Sequence, residues 1–260
     1  MPDKTCTIQN NAFCFLQGDR RPDNTAGSGL LGKIQEKIKQ HGVFYYLLLK
    51  IFAPILLTRQ CKRTLDSLLD SYDETAVILN VGSGPQFLND RRDIINVDLY
   101  AFDEVDIVSD ASGLPIKNNT VDLVINIAML EHVESPDSII REMHRVLKKG
   151  GHFFCYLPFI APFHAAPHDY HRWTEKGAAN VFAIFQHSEI GIGAGPTSGM
   201  LWVLQEWLAI LFSFGSRTLH DMLFVLLMMS TAPLKLLDLL MVRFPNADKI
   251  AGSFYITGKK

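Results

Sequence analysis

The stretch VILNVGSGPQFLNDRRDIINVDLY, from Val77 to Tyr100, constrains the fold of this chain more than any other part of the sequence. It opens with an apolar run typical of a buried strand, and Gly82 and Gly84 follow at once. Glycine permits a tight turn and a close approach of the backbone to another group. A second apolar run ends at Asp98. Strand, glycine turn, crossover, strand and acid in succession are how a doubly wound sheet binds a nucleoside.

Residues 76 to 190 alternate between strand and helix patterns. Further strands are predicted in EVDIVSD, VDLVINIAML, HFFCYLP and SEIGIGAG, and helices in SPDSIIREMHRVLKKGG and WTEKGAANVFAIF. Ser135 and Thr174 are the expected helix N-caps, and Gly150 and Gly151 are expected to end the first helix. Repeated strand–helix units predict an α/β fold: a Rossmann-like, doubly wound, mostly parallel sheet with helices on both faces.

The segments on either side of this core differ in composition. Residues 1–28 are polar, and we expect a flexible tail. Residues 29–70 are expected to be helical, and their apolar run is framed by basic residues, which suits an anionic membrane surface as well as a helix packed on the core. Residues 71–198 form the predicted core. Residues 199–244 form a very apolar helical insertion, predicted not to span a membrane because neither helix offers about 18 uncharged apolar residues. Residues 245–260 form the last strand of the core.

Composition narrows the class of protein. The net charge is −2, which argues against a nucleic-acid partner. The four cysteines form no close pair, so we expect neither a metal site nor a disulfide framework. No basic segment followed by an apolar stretch opens the chain, so no secretory signal is expected. These features predict a cytoplasmic protein, with peripheral contact at the inner face of the membrane.

Three classes of nucleoside-binding protein fit a strand followed by a glycine turn. A dinucleotide dehydrogenase takes G-x-G-x-x-G, but here Phe87 stands at the third glycine position. A P-loop kinase needs Gly-Lys-Ser or Gly-Lys-Thr after the loop, and the chain has neither. The third class binds S-adenosylmethionine, with the amino acid end of this ligand on the glycine turn and its ribose on the acid after the second strand.

The sequence closely resembles the class I S-adenosylmethionine-dependent methyltransferases, specifically the small-molecule, methyltransferase type 11-like branch. The resemblance covers about residues 75 to 190 and the terminal strand, and it lies in ILNVGSGP, NVDLY, VSDASGLPIKNNTVDLVI and AMLEHVESPDSIIREMHRVLKKGGHFFCYLP. The chain departs from the family at Gln86, where a further glycine often stands, and this puts the shape of the loop in doubt.

The resemblance implies S-adenosyl-L-methionine as the cofactor. It places the methionine part on the glycine turn, the ribose on the acid after the second strand, the adenine at the third strand and the sulfonium at the end of the fourth. The cofactor-binding residues it implies are Gly82, Ser83, Gly84, Asp98, Leu99, Asp110, Ala111, Asn126 and Ala128. For Asp98 and Asp110 an ordinary role as loop or turn acids is the alternative.

The acceptor is expected at the loop PFHAAPHDYHRWT, residues 162–174, which follows the fifth strand. Transfer to a hydroxyl needs a base, and histidine suits that role near neutral pH. We predict His168 or His171 as the base, oriented by Asp169. The alternative is that Asp169 and Arg172 pair to hold the loop. His132 in LEHV either faces the site or caps the structure beside the cofactor.

The function predicted is methyl transfer to a small or lipophilic acceptor near a membrane surface, such as a lipid-linked sugar or an isoprenoid. Two alternatives stay open at this point. One is a non-catalytic, membrane-attached module that binds a nucleoside. The other is a nicotinamide-dependent oxidoreductase, which Phe87 disfavours.

Overall fold

The computed structural model describes residues 6–9, 12–16, 51–85, 88, 91–164 and 168–260. The strands are β1 Thr7–Gln9, β2 Ala12–Cys14, β3 Ile78–Val81, β4 Ile95–Asp98, β5 Ile107–Val108, β6 Val121–Ile127, β7 Leu147–Pro158, β8 Gln186–Ala194 and β9 Ser253–Lys259. The α-helices are α1 Arg59–Asp70, α2 Pro136–Val146, α3 Glu175–Val181, α4 Pro196–Phe212, α5 Arg217–Thr231 and α6 Asp238–Met241. Short 3₁₀ segments cover Ala111–Gly113, Leu130–His132, Ala232–Leu237 and Ala247–Ile250.

One sheet runs through the molecule in the order β1-β2-β5-β4-β3-β6-β7-β9-β8. The pairs from β2 through β5, β4, β3 and β6 to β7 are all parallel. Strand β9 is antiparallel to both of its neighbours, β7 and β8. The sequence-based prediction of a mostly parallel, doubly wound sheet is therefore confirmed.

Helices cover both faces of this sheet. On one face, Leu65 and Leu69 of α1 pack in a core with Ile78 and Phe154. On the other face, helices α2 and α3 pack against strand side chains that include Phe153, next to Phe154 in sequence. Neighbouring residues of β7 thus point into opposite cores, as the alternation of side chains along a strand requires.

The amino-terminal region differs from the flexible tail that the sequence suggested. Strand β1 pairs antiparallel with β2, and β2 pairs parallel with β5 at the edge of the sheet. Ala12 and Cys14 are buried with Val105 and Val108, whereas Phe13 between them is exposed. The alternation is only three residues long, too short to be distinguished from a loop in the sequence.

The end of the first predicted helix also differs. Helix α2 ends at Val146, before Gly150 and Gly151, and β7 begins at Leu147. Leu147 is completely buried and pairs with Val121 of β6. The segment from Leu147 to Gly151 therefore belongs to a strand, although its local sequence resembles a helix end. Thr174 caps α3 as predicted, because its side chain accepts a hydrogen bond from the Gly177 N–H.

An apolar helical insertion, formed by α4, α5, the following 3₁₀ segment and α6, precedes the last strand. It starts at Pro196 rather than at residue 199. The buried Asp238 carboxylate ties α6 to the start of α4 by accepting hydrogen bonds from the backbone N–H groups of Thr197, at 2.7 Å, and Ser198, at 2.9 Å. Most of the basic and apolar segment predicted at residues 29–70 lies outside the described residues. The buried Lys235 Nζ donates to the carbonyl of Ile51, which draws the described part of that segment onto the insertion.

Candidate functional site

The predicted cofactor residues lie at or just beyond the carboxyl ends of strands that are neighbours in the sheet. Strands β5, β4, β3 and β6 lie side by side in that order. Because the strands are parallel, the loops after them open at the same edge. The structure thus brings the glycine turn, Asp98, Asp110 and Asn126 to one edge, although they are spread over a long stretch of sequence.

The turn after β3 requires glycine for two different reasons. Gly82 and Gly84 both have positive φ, at 74° and 58°, where other residues are strained. A Cβ atom on Gly82 would also overlap Cγ of Met129. A Cβ atom on Gly84 would meet no described atom within 4 Å. The described residues therefore leave room beside the Gly84 backbone, where a ligand can approach it. Gln86 and Phe87, which the sequence comparison used, lie outside the described residues.

The Asp98 carboxylate anchors the glycine turn by accepting backbone hydrogen bonds, and it can accept more. Its Oδ2 atom accepts a hydrogen bond of 2.9 Å from the Gly84 N–H, and Oδ1 accepts one of 3.0 Å from the Tyr100 N–H. A carboxylate has about four lone-pair sites, so Asp98 can accept further hydrogen bonds from a ligand. Burial raises the pKa of the Asp98 carboxyl, and the backbone N–H groups oppose this rise.

Asp110 and Asn126, two other predicted cofactor residues, differ in which of their side-chain oxygens already accept hydrogen bonds. Oδ1 of Asp110 accepts bonds from the N–H and the hydroxyl of Ser112, at 2.8 and 2.7 Å, and caps a 3₁₀ turn. Asn126 is fully buried, and its amide donates to the Val81 carbonyl at 2.7 Å. Among the described residues, Oδ1 of Asn126 has no hydrogen-bond partner. The turn role of Asp110 is therefore present, whereas Asn126 offers an unused acceptor beside the glycine turn.

The loop after β7 is held by an ion pair. Asp169 Oδ2 accepts from Arg172 and from the His164 N–H, both at 2.7 Å. The Arg172 guanidinium lowers the pKa of Asp169 to about 2. His168 is exposed, and Nε2 of His171 lies 3.2 Å from the Glu134 carbonyl oxygen. Asp169 is thus engaged with Arg172, the arrangement that the sequence left as an alternative, and the base role of His168 or His171 stays a prediction.

Sequence reasoning missed a buried carboxylate beside this loop. The Glu131 side chain is completely buried, and its Oε1 lies 3.9 Å from Nε2 of His132 and 3.8 Å from Nε2 of His164. Glu131 and His132 follow β6, and His164 follows β7. The adjacent Glu-His pair in LEHV was a visible signal, but the third member is far away in sequence.

A large open groove lies elsewhere on the molecule. It has a volume of about 1000 Å³ and runs between α1, β8 and α6, with Arg59, Arg63 and Arg243 along it. Its lining includes no residue of the glycine turn and none of the loops after β4, β5 and β6. The candidate cofactor site is therefore the carboxyl edge of the sheet, and the groove is a separate surface.

A doubly wound sheet with a glycine turn and a strand-end acid at one edge defines a nucleoside-binding α/β domain. Residues 87–155 match the model of a family described as a methyltransferase domain. The match confirms the resemblance to the class I S-adenosylmethionine-dependent methyltransferases, whose cofactor is S-adenosyl-L-methionine. The match covers about a quarter of the chain and does not define the acceptor.

Several solved structures are similar in fold. A Thermotoga maritima S-adenosylmethionine-dependent methyltransferase, described as a possible histamine N-methyltransferase, has a TM-score of 0.49 and 12% identity, over 87% of this chain and 97% of that one. Phosphoethanolamine N-methyltransferase 2 of Haemonchus contortus, in complex with S-adenosyl-L-methionine, has a TM-score of 0.47 and 14% identity, over 76% of this chain and 52% of that one. This chain therefore spans about half of that enzyme.

Geranyl diphosphate C-methyltransferase of Streptomyces coelicolor has a TM-score of 0.43 and 11% identity, over 76% of this chain and 77% of that one. Likenesses this low carry no information on the activity of this chain. None of the curated proteins matches the sequence.

Proposed function

We propose that this chain is an S-adenosylmethionine-dependent methyltransferase that acts on a small lipophilic acceptor at a membrane surface. The observation that carries the acceptor class is a contact between the apolar insertion and the loop after β7. The ring of Trp202, on α4, lies 5.1 Å from the ring of His164, measured between centroids. The most apolar part of the chain therefore borders the region expected to hold the acceptor.

The residues at the carboxyl edge fit the cofactor. The open space at Gly84 suits the amino acid end, and the spare lone pairs of Asp98 suit the two ribose hydroxyls. Ser83 completes the turn, Leu99 and Ala111 offer apolar surface for the nucleoside, and Asn126 with Ala128 lies at the end of β6. When bound, the cofactor supplies an electrophilic methyl group.

The protein's own part in transfer is to orient the acceptor and to receive its proton. Holding the acceptor atom in line removes much of the entropic barrier to reaction. A hydroxyl acceptor also has to lose its proton to a base within hydrogen-bond reach. We assign that base to His168 or His171, which lie in the loop that borders the insertion. The Asp169–Arg172 ion pair keeps this loop in place.

The insertion exposes apolar side chains that a monomer in water would be expected to bury. Trp207 and Ile210 of α4 are 57% and 63% exposed, and Met222 and Leu226 of α5 are 60% and 62% exposed. Phe214, in the turn between these helices, is 88% exposed. An apolar surface of this extent marks an interface. A membrane surface is the interface that also brings a lipophilic acceptor to the site.

The proposal places the insertion in the membrane surface rather than across the bilayer. Among the described residues, one helical run, Arg217–Met241, is long and apolar enough to cross, and 17% of its most apolar window is buried. Helix α5 itself ends at Thr231 after 15 residues, or about 22 Å, less than the roughly 30 Å of hydrocarbon. Beyond it, Lys235 and Asp238 are buried against other parts of the protein.

Basic residues beside the insertion favour anionic lipid. Arg59 and Arg243 line a groove of about 480 Å³ whose other residues are Pro233, Leu234, Leu236, Leu237, Leu239 and Leu240. Arg59, Lys62 and Arg63 on α1 are all exposed. Apolar side chains next to cationic groups match the two layers of a membrane surface, acyl chains and anionic headgroups.

Flotation with liposomes tests the membrane part. The protein should float with vesicles that contain anionic lipid, and salt should weaken this binding because exposed charges are screened. Replacing Trp207 and Ile210 together by Ser should reduce the bound fraction at least about tenfold, because burial of each such side chain is worth about 1.5–3 kcal/mol. The matched control is Ile8→Ser, which removes an apolar side chain that is 72% exposed on β1. A wild-type protein that stays unbound with every vesicle, as a monomer without detergent, would show that this surface serves another purpose.

Methyl transfer is tested separately, with radiolabelled S-adenosylmethionine and a panel of lipophilic and water-soluble acceptors. Transfer to a lipophilic acceptor, stimulated by vesicles, is the expected result. Cofactor binding without transfer to any acceptor would favour the non-catalytic module, and transfer to a soluble acceptor alone would refute the lipophilic class.

A further inference from the structure

Glu131, His132 and His164 form a cluster that the cofactor site does not use. The Glu131 side chain has no exposed surface, and neither of its carboxylate oxygens has a hydrogen-bond partner in the part of the chain that the structure describes. Nε2 of His132 and Nε2 of His164 lie within 4 Å of Oε1. A buried carboxylate without a hydrogen bond is costly, so a compensating group is expected.

The hydrogen bonds behind each ring fix what these histidines present to the carboxylate. Nδ1 of His132 lies 2.6 Å from the His168 carbonyl oxygen, and Nδ1 of His164 lies 2.9 Å from the Pro162 carbonyl oxygen. A carbonyl only accepts, so the Nδ1 of His132 carries a hydrogen. The Nδ1 of His164 lies between the Pro162 carbonyl and Nη2 of Arg172, at 3.2 Å, so its role depends on the tautomer. In the neutral tautomers that donate to the two carbonyls, both rings turn a lone pair on Nε2 toward the cluster.

In these tautomers the cluster is a set of acceptors that face one another. Two ring nitrogens and a carboxylate converge, and their ligand atoms all lie within 4.8 Å of one another. A hydrogen on one Nε2 atom, donated to Glu131, or a metal ion can compensate the buried carboxylate. Arg172 does not fill this role, because its guanidinium pairs with Asp169 on the Nδ1 side of His164.

We propose that Glu131, His132 and His164 bind one divalent transition-metal ion. Two metal–ligand bonds of about 2.0–2.2 Å span up to about 4 Å, which covers the separations of Glu131 Oε1 from both ring nitrogens. Two imidazoles and one carboxylate suit zinc, iron or manganese better than magnesium or calcium. A carbonyl behind each ring is the usual outer partner of a metal-binding histidine.

The position of the site gives the ion a use. Three protein ligands leave a coordination position open for water or substrate. Glu131 and His132 follow β6, next to the predicted sulfonium residues, and His164 contacts Trp202 of the insertion. The cluster therefore borders the acceptor region, where an ion would bind an acceptor oxygen and ease the loss of its proton. This role rests on the proposed function, whereas metal binding itself does not.

Zinc binding to the full-length chain tests the site directly. The protein is stripped with a chelator and dialysed, and then titrated with zinc without cofactor, while bound metal and the thermal midpoint are measured. The wild type should bind one zinc ion per chain with a rise in midpoint. In Glu131→Gln and His164→Gln the affinity should fall at least about tenfold, the loss that even outer-sphere changes cause. His187→Asn is the matched control, because His187 is exposed, away from the cluster, and at a positive φ that Asn tolerates.

The unfolding temperature of metal-free Glu131→Gln shows whether a loss of zinc binding is caused by misfolding. The Gln amide can donate to the lone pairs of His132 and His164, so the metal-free variant should unfold at the same temperature as the metal-free wild type or higher. A folded wild type that binds no zinc, or a control that loses affinity as much as Glu131→Gln, would overturn the proposal. S-adenosylhomocysteine binding by metal-free protein is measured in parallel, so that failure of the metal site and failure of the cofactor site are distinguished.

Discussion

Removal of the Asp98 carboxylate is the sharpest test of the cofactor site. In the structure this side chain accepts hydrogen bonds from the Gly84 and Tyr100 N–H groups, and it keeps a lone pair on each oxygen. Asp98→Ala removes the acceptors proposed for the two ribose hydroxyls. It also frees the Gly84 N–H, so that the turn under the methionine part loses an anchor.

The expected magnitude follows from the number and kind of bonds. Hydrogen bonds to a charged group contribute about 1.5–3 kcal/mol. Loss of even one such bond corresponds to roughly tenfold or more in the dissociation constant, and loss of both to a larger factor. Asp98→Ala should therefore weaken binding of S-adenosylhomocysteine at least about tenfold. Asp98→Asn should have a smaller effect, because the amide oxygen still accepts.

Calorimetric titration with S-adenosylhomocysteine measures this affinity. Asp70→Ala is the control, because Asp70 is an exposed acid at the end of α1 and its loss changes the net charge equally. A circular dichroism melt of each variant shows whether the fold is retained. A folded Asp98→Ala protein with wild-type affinity would refute the assignment of the ribose to this strand end.

Two further predictions concern the loop after β7. If His168 or His171 is the base, its replacement by Ala should abolish most turnover. The affinity for S-adenosylhomocysteine should stay unchanged, because a base acts in the transition state. Normal turnover in both variants would mean that neither residue is the base. The Arg172 guanidinium lowers the pKa of Asp169 to about 2, below its unfolded value, so the stability it provides is present above about pH 4 and is lost as the pH falls toward 2. Urea titrations should show Asp169→Asn to be less stable than wild type by about 2 kcal/mol at pH 6, with a difference that shrinks steadily in acid; a difference independent of pH would show that the ion pair does not stabilise the fold.

The pattern of strands and the cofactor edge were predictable because their signals are local. The apolar runs and glycines around Gly82 and Gly84 predict a strand and a turn within a short window. Parallel strands separated by helical patterns then place the loops after them at one edge. The position of Asp98 at the end of a strand could thus be predicted from the sequence, whereas Asn126 was predicted as a cofactor residue only through the resemblance to the methyltransferases.

Some local signals were overridden by the sheet. Gly150 and Gly151 look like a helix end, yet β7 begins at Leu147, because pairing with β6 and burial of Leu147 outweigh the local preference. The strands β1 and β2 are too short to show a period, and only contact with β5 and burial against Val105 reveal them. In both cases, contacts with residues that are distant in sequence determined the secondary structure.

The sequence by itself determined the α/β class, the glycine turn, the strand-end acid and the apolar character of the insertion, because each depends on residues close together in the chain. Only the tertiary structure decided which polar groups meet. It paired Asp169 with Arg172, brought the rings of His132 and His164 to the Glu131 carboxylate, and placed Trp202 against His164. Such meetings depend on how the loops after β6 and β7 pack against each other and against the insertion. This packing determines which side chains come into contact at the edge of the sheet. The spacing of the residues along the sequence does not predict these contacts.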